Sequence, residues 1–238
     1  SIFLAVGLKA QVVTGARGLA LGGAVIALPD NDWAAFGNPA LLSYAQPGVA
    51  FYGIRNYGLA ELTDMAAAGG MEYQGGRLAS AVAVHRYGDE LFSEINFRLI
   101  QNFTFSGVHL GVALNYNRLS FGGSYADEAA AAPGLDLGIA FPLSEDLLFG
   151  MRALNVNAPQ YAFGEALPRE LGAGLSIRLH ERLLLLGDVV KDVRFPLSVR
   201  SGAEAVLSEG VFLRSGFSTQ PAAWSAGSAG WPGRCAPS

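Results

Sequence analysis

Large apolar side chains recur at every second residue through most of this chain, and the residues between them are too small and too sparsely charged to face water. In Val108, Leu110, Val112, Leu114 and Tyr116 each alternate residue is bulky and apolar, whereas His109, Gly111, Ala113, Asn115 and Asn117 between them are small or polar. The same alternation runs through Leu135, Leu137, Ile139 and Phe141, and through Leu171, Ala173, Leu175, Ile177 and Leu179. It also sets Ile95, Phe97 and Leu99 against Glu94, Asn96 and Arg98. A repeat of two places alternate side chains on one face of a β-strand. A soluble sandwich or lipocalin-like barrel also alternates, but it turns its apolar face inward and coats the other with charge. Here only 15% of residues are charged, against about 25% in ordinary soluble domains. The Gly, Ala, Ser and Asn of the second face suit a crowded interior, so the apolar face is expected to meet lipid.

Spanning helices do not account for the same residues. A transmembrane helix needs about 20 predominantly apolar residues. The uncharged run 34–54 contains Pro39 and Pro47, and the run 99–117 carries Gln101, Asn102, Ser106, His109 and Asn115. Either helix would be broken or would drive amides into hydrocarbon.

Turn residues divide the chain after about residue 46 into twelve strands of spanning length, which for tilted strands is only ~9–11 residues. They are expected at 47–55, 62–74, 77–86, 91–104, 107–118, 134–143, 147–154, 169–179, 182–190, 197–207, 210–218 and 222–231. Gly75-Gly76, Ser106-Gly107, Ser144-Glu145-Asp146, His180-Glu181 and Ser208-Glu209 form tight connections. The segments 119–133, 155–168 and, less clearly, 191–196 are longer. Short turns at one end and long loops at the other describe an antiparallel outer-membrane β-barrel, with the short turns and the amino terminus periplasmic and the long loops extracellular. Tyr52, Phe103, Phe105, Tyr116, Phe121, Phe141 and Phe217 fall near strand ends, where aromatic girdles sit.

Ahead of the strands, Gly15-Ala16-Arg17-Gly18-Leu19-Ala20-Leu21-Gly22-Gly23-Ala24 leads through Asp30-Asn31-Asp32 to Asn38-Pro39-Ala40-Leu41-Leu42. The glycines do not make the G-x-G-x-x-G phosphate loop, and no βαβ unit follows. Gly18 and Gly22 are spaced G-x-x-x-G but lie outside any apolar 20-mer. Glycines allow close backbone approach, as in a segment threaded inside a barrel. Asn38-Pro39 favours a turn, with a short helical turn after it.

Taken together, these residues resemble the FadL-like superfamily, the long-chain fatty-acid transporter group that also contains the PorV/PorQ proteins of the type IX secretion system. The resemblance covers residues 14 to about 231, is most specific over 15–42, and in its short strand connections is nearer the PorV/PorQ branch. It implies a fourteen-stranded barrel with an amino-terminal hatch, with Gly15, Arg17, Gly22, Gly23, Asn38, Pro39 and Ala40 as hatch or gate residues. Twelve strands rather than fourteen leaves either a missing last hairpin or an undercount. The expected organisation is a signal-peptide remnant over 1–11, a hatch over 12–46, a barrel over 47–231 and an irregular tail over 232–238, with the barrel incomplete.

No catalytic constellation emerges. His85, His109 and His180 fall on different strands or turns, and neither H-E-x-x-H nor G-x-S-x-G occurs. A site centred on His109 with a serine, or on Asp136, is a minor alternative. The single cysteine, Cys235, excludes an internal disulfide framework and a cysteine metal cluster, so neither a metal nor another cofactor is expected. The net charge of −4 argues against nucleic acid. Glu94, Asn96, Arg98, His109, Asn115, Asp136, Arg152, Arg178, Asp188, Arg200 and Arg214 fall on the inward phase, where they either pair to fill the lumen or line a conduction path. The expected partners are outer-membrane lipid with a fatty acid or other hydrophobic ligand. The alternatives are secretion-system proteins, or a structural barrel that transports nothing.

Overall fold

Each apolar alternation becomes a strand. The computed structural model describes residues 15–55, 58–122, 129–162 and 164–230. The expected leader at 1–11 and tail at 232–238 lie outside them. Twelve strands follow one another in a single antiparallel sheet, each paired with its neighbours in sequence: β1 (Gly48–Arg55), β2 (Thr63–Tyr73), β3 (Leu78–Gly88), β4 (Phe92–Phe105), β5 (Val108–Phe121), β6 (Ala129–Ser144), β7 (Leu147–Leu154), β8 (Glu170–His180), β9 (Leu183–Asp192), β10 (Ser198–Ser208), β11 (Val211–Thr219) and β12 (Ala222–Gly230). Among the described residues β1 and β12 are not paired with each other, so the sheet is open there. No described helix is long and apolar enough to cross a membrane.

Register carries the pattern from strand to strand. Val82 lies opposite Leu99, Leu99 opposite Leu114 and Leu114 opposite Leu135. Val82, Leu99 and Leu114 are more than half exposed. With Leu171, Val189, Val199 and Leu213 they form an apolar outer band. A surface of that extent is unfavourable in water and matches a hydrocarbon surround. The tight connections form as expected. Ser106 and Gly107, both with positive φ (49° and 79°), make a two-residue hairpin whose twist matches its strands.

Three expectations need correction. The segment 119–133 is not all loop, because β5 continues to Phe121 and β6 begins at Ala129, with Ser120 opposite Ala129 and Tyr116 opposite Pro133. Ala130 and Ala132 pack inside this extension. Pro133 is tolerated because pairing of β6 with β7 begins only at Leu137, so its missing N–H falls on a local edge. Tyr52 and Phe121, expected in the girdles, point inward. Tyr52 stands edge-on to Trp33 and Phe121 packs on Phe92. Phe103, Phe105 and Tyr116 do face outward.

The inner face is covered by residues 15–46. They form helix α1 (Gly15–Ala20), a series of turns, and a 3-10 helix at Pro39–Tyr44. Asn38 caps the second helix, its Oδ1 accepting from the Ala40 N–H at 3.1 Å, and Pro39 sits where a helix needs no donor. The segment meets the strands in reverse order. Ala20 lies against β12, Gly22 against β11, Leu21 against β10, and Ile26 against β8 and β7. Asn38 lies against β6, Pro39 against β5 and Leu42 against β2. One short segment can touch so many strands from one face only if that face is concave.

The wall approaches so closely that several positions admit no side chain. A Cβ on Gly111 would lie 2.2 Å from the Pro39 carbonyl carbon, and one on Gly216 would lie 2.0 Å from the Gly22 nitrogen. Gly187, on the outer phase, has no such neighbour within 4 Å. Gly111→Ala and Gly216→Ala are therefore expected to cost about 1–3 kcal/mol each and to lower the unfolding temperature. Gly187→Ala should leave it unchanged; thermal unfolding in detergent followed by tryptophan fluorescence makes the comparison.

Candidate functional site

Polar side chains of the wall reach inward to the backbone of the amino-terminal segment. Val25 and Ile26 lie in a non-helical turn, and their N–H groups find no partner within it. Asp188 of β9 accepts both on Oδ2, at 2.7 and 3.0 Å. Asn102 of β4 donates to the Ala40 carbonyl at 2.8 Å. Ser225 of β12 accepts from the Gly22 N–H at 3.0 Å and donates to the Ala20 carbonyl at 3.1 Å. Asn38 is wholly buried; its Nδ2 donates to the Ile26 carbonyl at 2.9 Å and to the Ile139 carbonyl of β6 at 3.3 Å. These contacts give buried backbone groups the partners they must have.

Ion pairs reinforce the arrangement. Arg17 donates Nε and Nη2 to Glu204 of β10 at 2.9 and 2.8 Å, and its Nη1 to the Pro29 and Asp30 carbonyls at 2.9 and 2.7 Å. Arg214 of β11 donates to Glu204 as well, at 2.5 Å. Arg152 pairs with Glu170, whose other oxygen lies 3.8 Å from Arg200, and Arg200 donates to the Gly23 carbonyl at 3.4 Å. Arg98 pairs with Asp136 at 2.5 Å and stacks on the Phe36 ring.

The other Asp136 oxygen accepts the Asn155 N–H at 2.7 Å. That bond ties down the connection 155–168, which folds inward over the end away from the tight turns. Tyr161 and Leu167 of this connection pack on Leu119, Ala130 and Ala132. Burial, with the carboxylates of Glu94 and Glu165, holds the Tyr161 phenol above its ordinary pKa.

The structure thus brings Gly23 to Arg200, Gly22 to Ser225 and, through Glu204, Arg17 to Arg214, whereas Asp188 meets Val25 and Ile26, and Asn38, Pro39 and Ala40 lie against β4–β6. Gly15, with φ of 65°, packs on the Trp33 ring. Asn96 accompanies Asn117, donating to it at 2.6 Å, and Asn115 is buried nearby on β5. Glu94 lies on the same phase of β4, half-buried. Arg178, near the end of β8, is exposed beside the β8–β9 turn, where it lines the same cleft as Arg17 and Glu204. His109 Nδ1 lies 2.7 Å from Ser43 Oγ and 3.0 Å from Thr104 Oγ1, with the Tyr44 ring packed on it. Burial raises the Tyr44 phenol pKa.

The sequence reading missed Glu170, Glu204, Asn102 and Ser225. Glu204 was legible as the residue two alternations beyond Arg200. Asn102 and Ser225 carry no such signal, since only the folded segment shows what they bind. No group of metal-ligating side chains occurs among the described residues.

The fold is that of an outer-membrane β-barrel whose inner face is packed by its own amino-terminal segment. No protein-family model matches the sequence, and no curated protein does. Solved structures do. The Ralstonia pickettii toluene transporter TbuX aligns with a TM-score of 0.67 and 15% identity, over 92% of this chain and 90% of its own. A Pseudomonas aeruginosa FadL homologue gives 0.62 and 11% over 86% and 79%. The Pseudomonas putida toluene transporter TodX gives 0.58 and 12% over 86% and 82%. This chain shares their fold; two of the three are named as toluene transporters and the third as a FadL homologue.

Asp188→Leu would remove the acceptor for two buried N–H groups, at roughly 1–3 kcal/mol for each group left unpaired. Hydrogen exchange at Val25 and Ile26 is expected to accelerate by at least about tenfold, while exchange in β4–β6 stays slow.

Proposed function

We propose that this protein is an outer-membrane transport barrel of the FadL-like type, passing hydrophobic small molecules, with residues 12–46 as the gate. The observation that carries this reading is how the segment is held. It fills the concave face, yet directed polar contacts from Asp188, Asn102, Glu204, Arg200 and Ser225 fix it at separate points along its length. Such contacts have discrete made and broken states, so a plug fixed by them has defined positions to move between. Apolar cargo leaves water on entry, which supplies a driving force that needs no cofactor. The solved transporters of the same fold support the reading. The proposed orientation puts the tight turns and residues 12–46 on the periplasmic side and the 155–168 connection outside. Fatty acids and single-ring hydrocarbons are both candidate cargo.

Two features favour other readings. The connections at 89–91 and 220–221 are short even at the end assigned to long loops, which suits a PorV/PorQ-like secretion component that binds partner proteins. A barrel of purely structural role is favoured by the packing around Asn38. A transporter needs an apolar space for its cargo, but Gly138 and Gly150 of the wall close on Asn38.

Uptake into proteoliposomes separates these readings. The wild type is expected to accelerate entry of labelled toluene or labelled fatty acid, and Asn38→Ala, which removes a cap and two donated bonds worth about 1–2 kcal/mol, is expected to change that rate severalfold. Equal rates in the two proteins would remove the segment from the route. No acceleration by either would leave the structural or secretion reading.

A further inference from the structure

Charge on the outer face of the sheet is confined to one end and to one sign. On strand positions that share the outer phase of Val82, Leu99 and Leu114, the only described residues among Asp, Glu, Lys and Arg are Arg55, Arg86, Arg118 and Lys191. All four are exposed and stand at the strand ends away from the tight turns. Cross-strand register sets their depth. Val82, Leu99, Leu114 and Leu135 form one row across β3–β6; Val84, Phe97, Tyr116 and Pro133 form the next; Arg86, Ile95, Arg118 and Ala131 form the one after. Successive rows on one face lie about 6.6 Å apart along a strand. Aliphatic side chains thus give way to aromatics and then to arginines, the order in which a spanning wall meets hydrocarbon, interface and headgroups.

We propose that Arg86 and Arg118 bind the headgroup phosphate of an anionic lipid in the leaflet around this end of the barrel. They flank Ile95 on either side of β4, so their backbones lie about 10 Å apart, two strand spacings, a gap that two long side chains close. A guanidinium offers paired donors that match phosphate oxygens. Neither arginine has a carboxylate partner, because every ion pair among the described residues lies on the inner side of the sheet. In the β3–β4 connection beside Arg86, Asp89 accepts the Leu91 and Phe92 N–H groups at 2.8 and 3.0 Å, and Glu90 joins no ion pair. The inner arginines are neutralised by this chain, whereas the outer two are left for the surroundings to neutralise. A bilayer presents phosphates at that depth, and attraction to anionic lipid grows with each cation at its surface. Phe97 and Tyr116, one row deeper and about half exposed, give the acyl part an apolar seat that free phosphate cannot use. The proposal does not depend on the transport reading.

Native mass spectrometry of the full chain in a neutral detergent tests it. Bisphosphorylated lipid A is expected to stay bound to the wild type, and Arg86→Gln combined with Arg118→Gln should weaken that binding by about tenfold or more. Both side chains are exposed, so the unfolding temperature should not change. Arg118→Gln alone should lose severalfold and Arg118→Lys less, which keeps the test decisive if the double variant does not fold. Dephosphorylated lipid with the same acyl chains should bind weakly, and inorganic phosphate at the lipid's concentration should not displace it. Lipid A retained equally by wild type and folded variants, equal binding of the dephosphorylated lipid, or displacement by inorganic phosphate would overturn the proposal.

Discussion

Backbone groups without water are the constraint on which this structure depends. A strand sheet in lipid satisfies its own N–H and C=O groups through neighbouring strands, but the irregular segment that lies on its inner face cannot. Residues 20–30 have turns instead of regular helix, and their free amides and carbonyls are met by Asp188, Arg17, Arg200, Ser225 and Asn38. The polar residues of the wall are consequently spaced to match the segment's orphan groups. The ion pairs around Glu204 and Glu170 then hold the arginines that make some of those contacts, so charge and backbone pairing form one network.

Steric fit and polarity work on the same surface. Gly111, Gly138, Gly150 and Gly216 bring the strand backbone close enough for Asp188 and Asn102 to reach their partners. A wall of larger residues would hold the segment away and leave those groups unpaired. On the outer face the requirement is reversed: Val82, Leu99 and Leu114 need bulk and no polarity, because their surroundings are hydrocarbon. The two faces of one strand thus obey different rules, and the alternation in sequence is their joint record.

The proposed transport depends on how the interior is divided. The amino-terminal segment occupies the half near the tight turns, and the 155–168 connection, fixed by Asp136, closes the other. Asp136 touches both regions, since it also binds Arg98, on which Phe36 of the segment stacks. Movement of cargo through such a barrel requires displacement of one or both fillings, and their attachments are discrete polar contacts.

The twelve strands, their order and most of their ends were legible in the sequence, because the period-two alternation is imposed strand by strand by the two environments a spanning strand meets. The inward phase of Arg98, Asp136, Arg152 and Asp188 followed from the same parity. Parity could not say which inward residue meets which. Glu204 binds Arg17 across 187 positions and Asp188 binds Val25 across 163, and such distances in sequence leave no local trace. Tyr52 and Phe121 were misplaced because aromatics near strand ends suit either face, and only the presence of Trp33 and Phe92 turned them inward. By itself the sequence determined an antiparallel sheet with one lipid-compatible face and a glycine-rich segment ahead of it. The tertiary structure alone decided where that segment lies and which glycines it fills, because close packing and buried pairing are properties of surfaces that meet only after the sheet has curved.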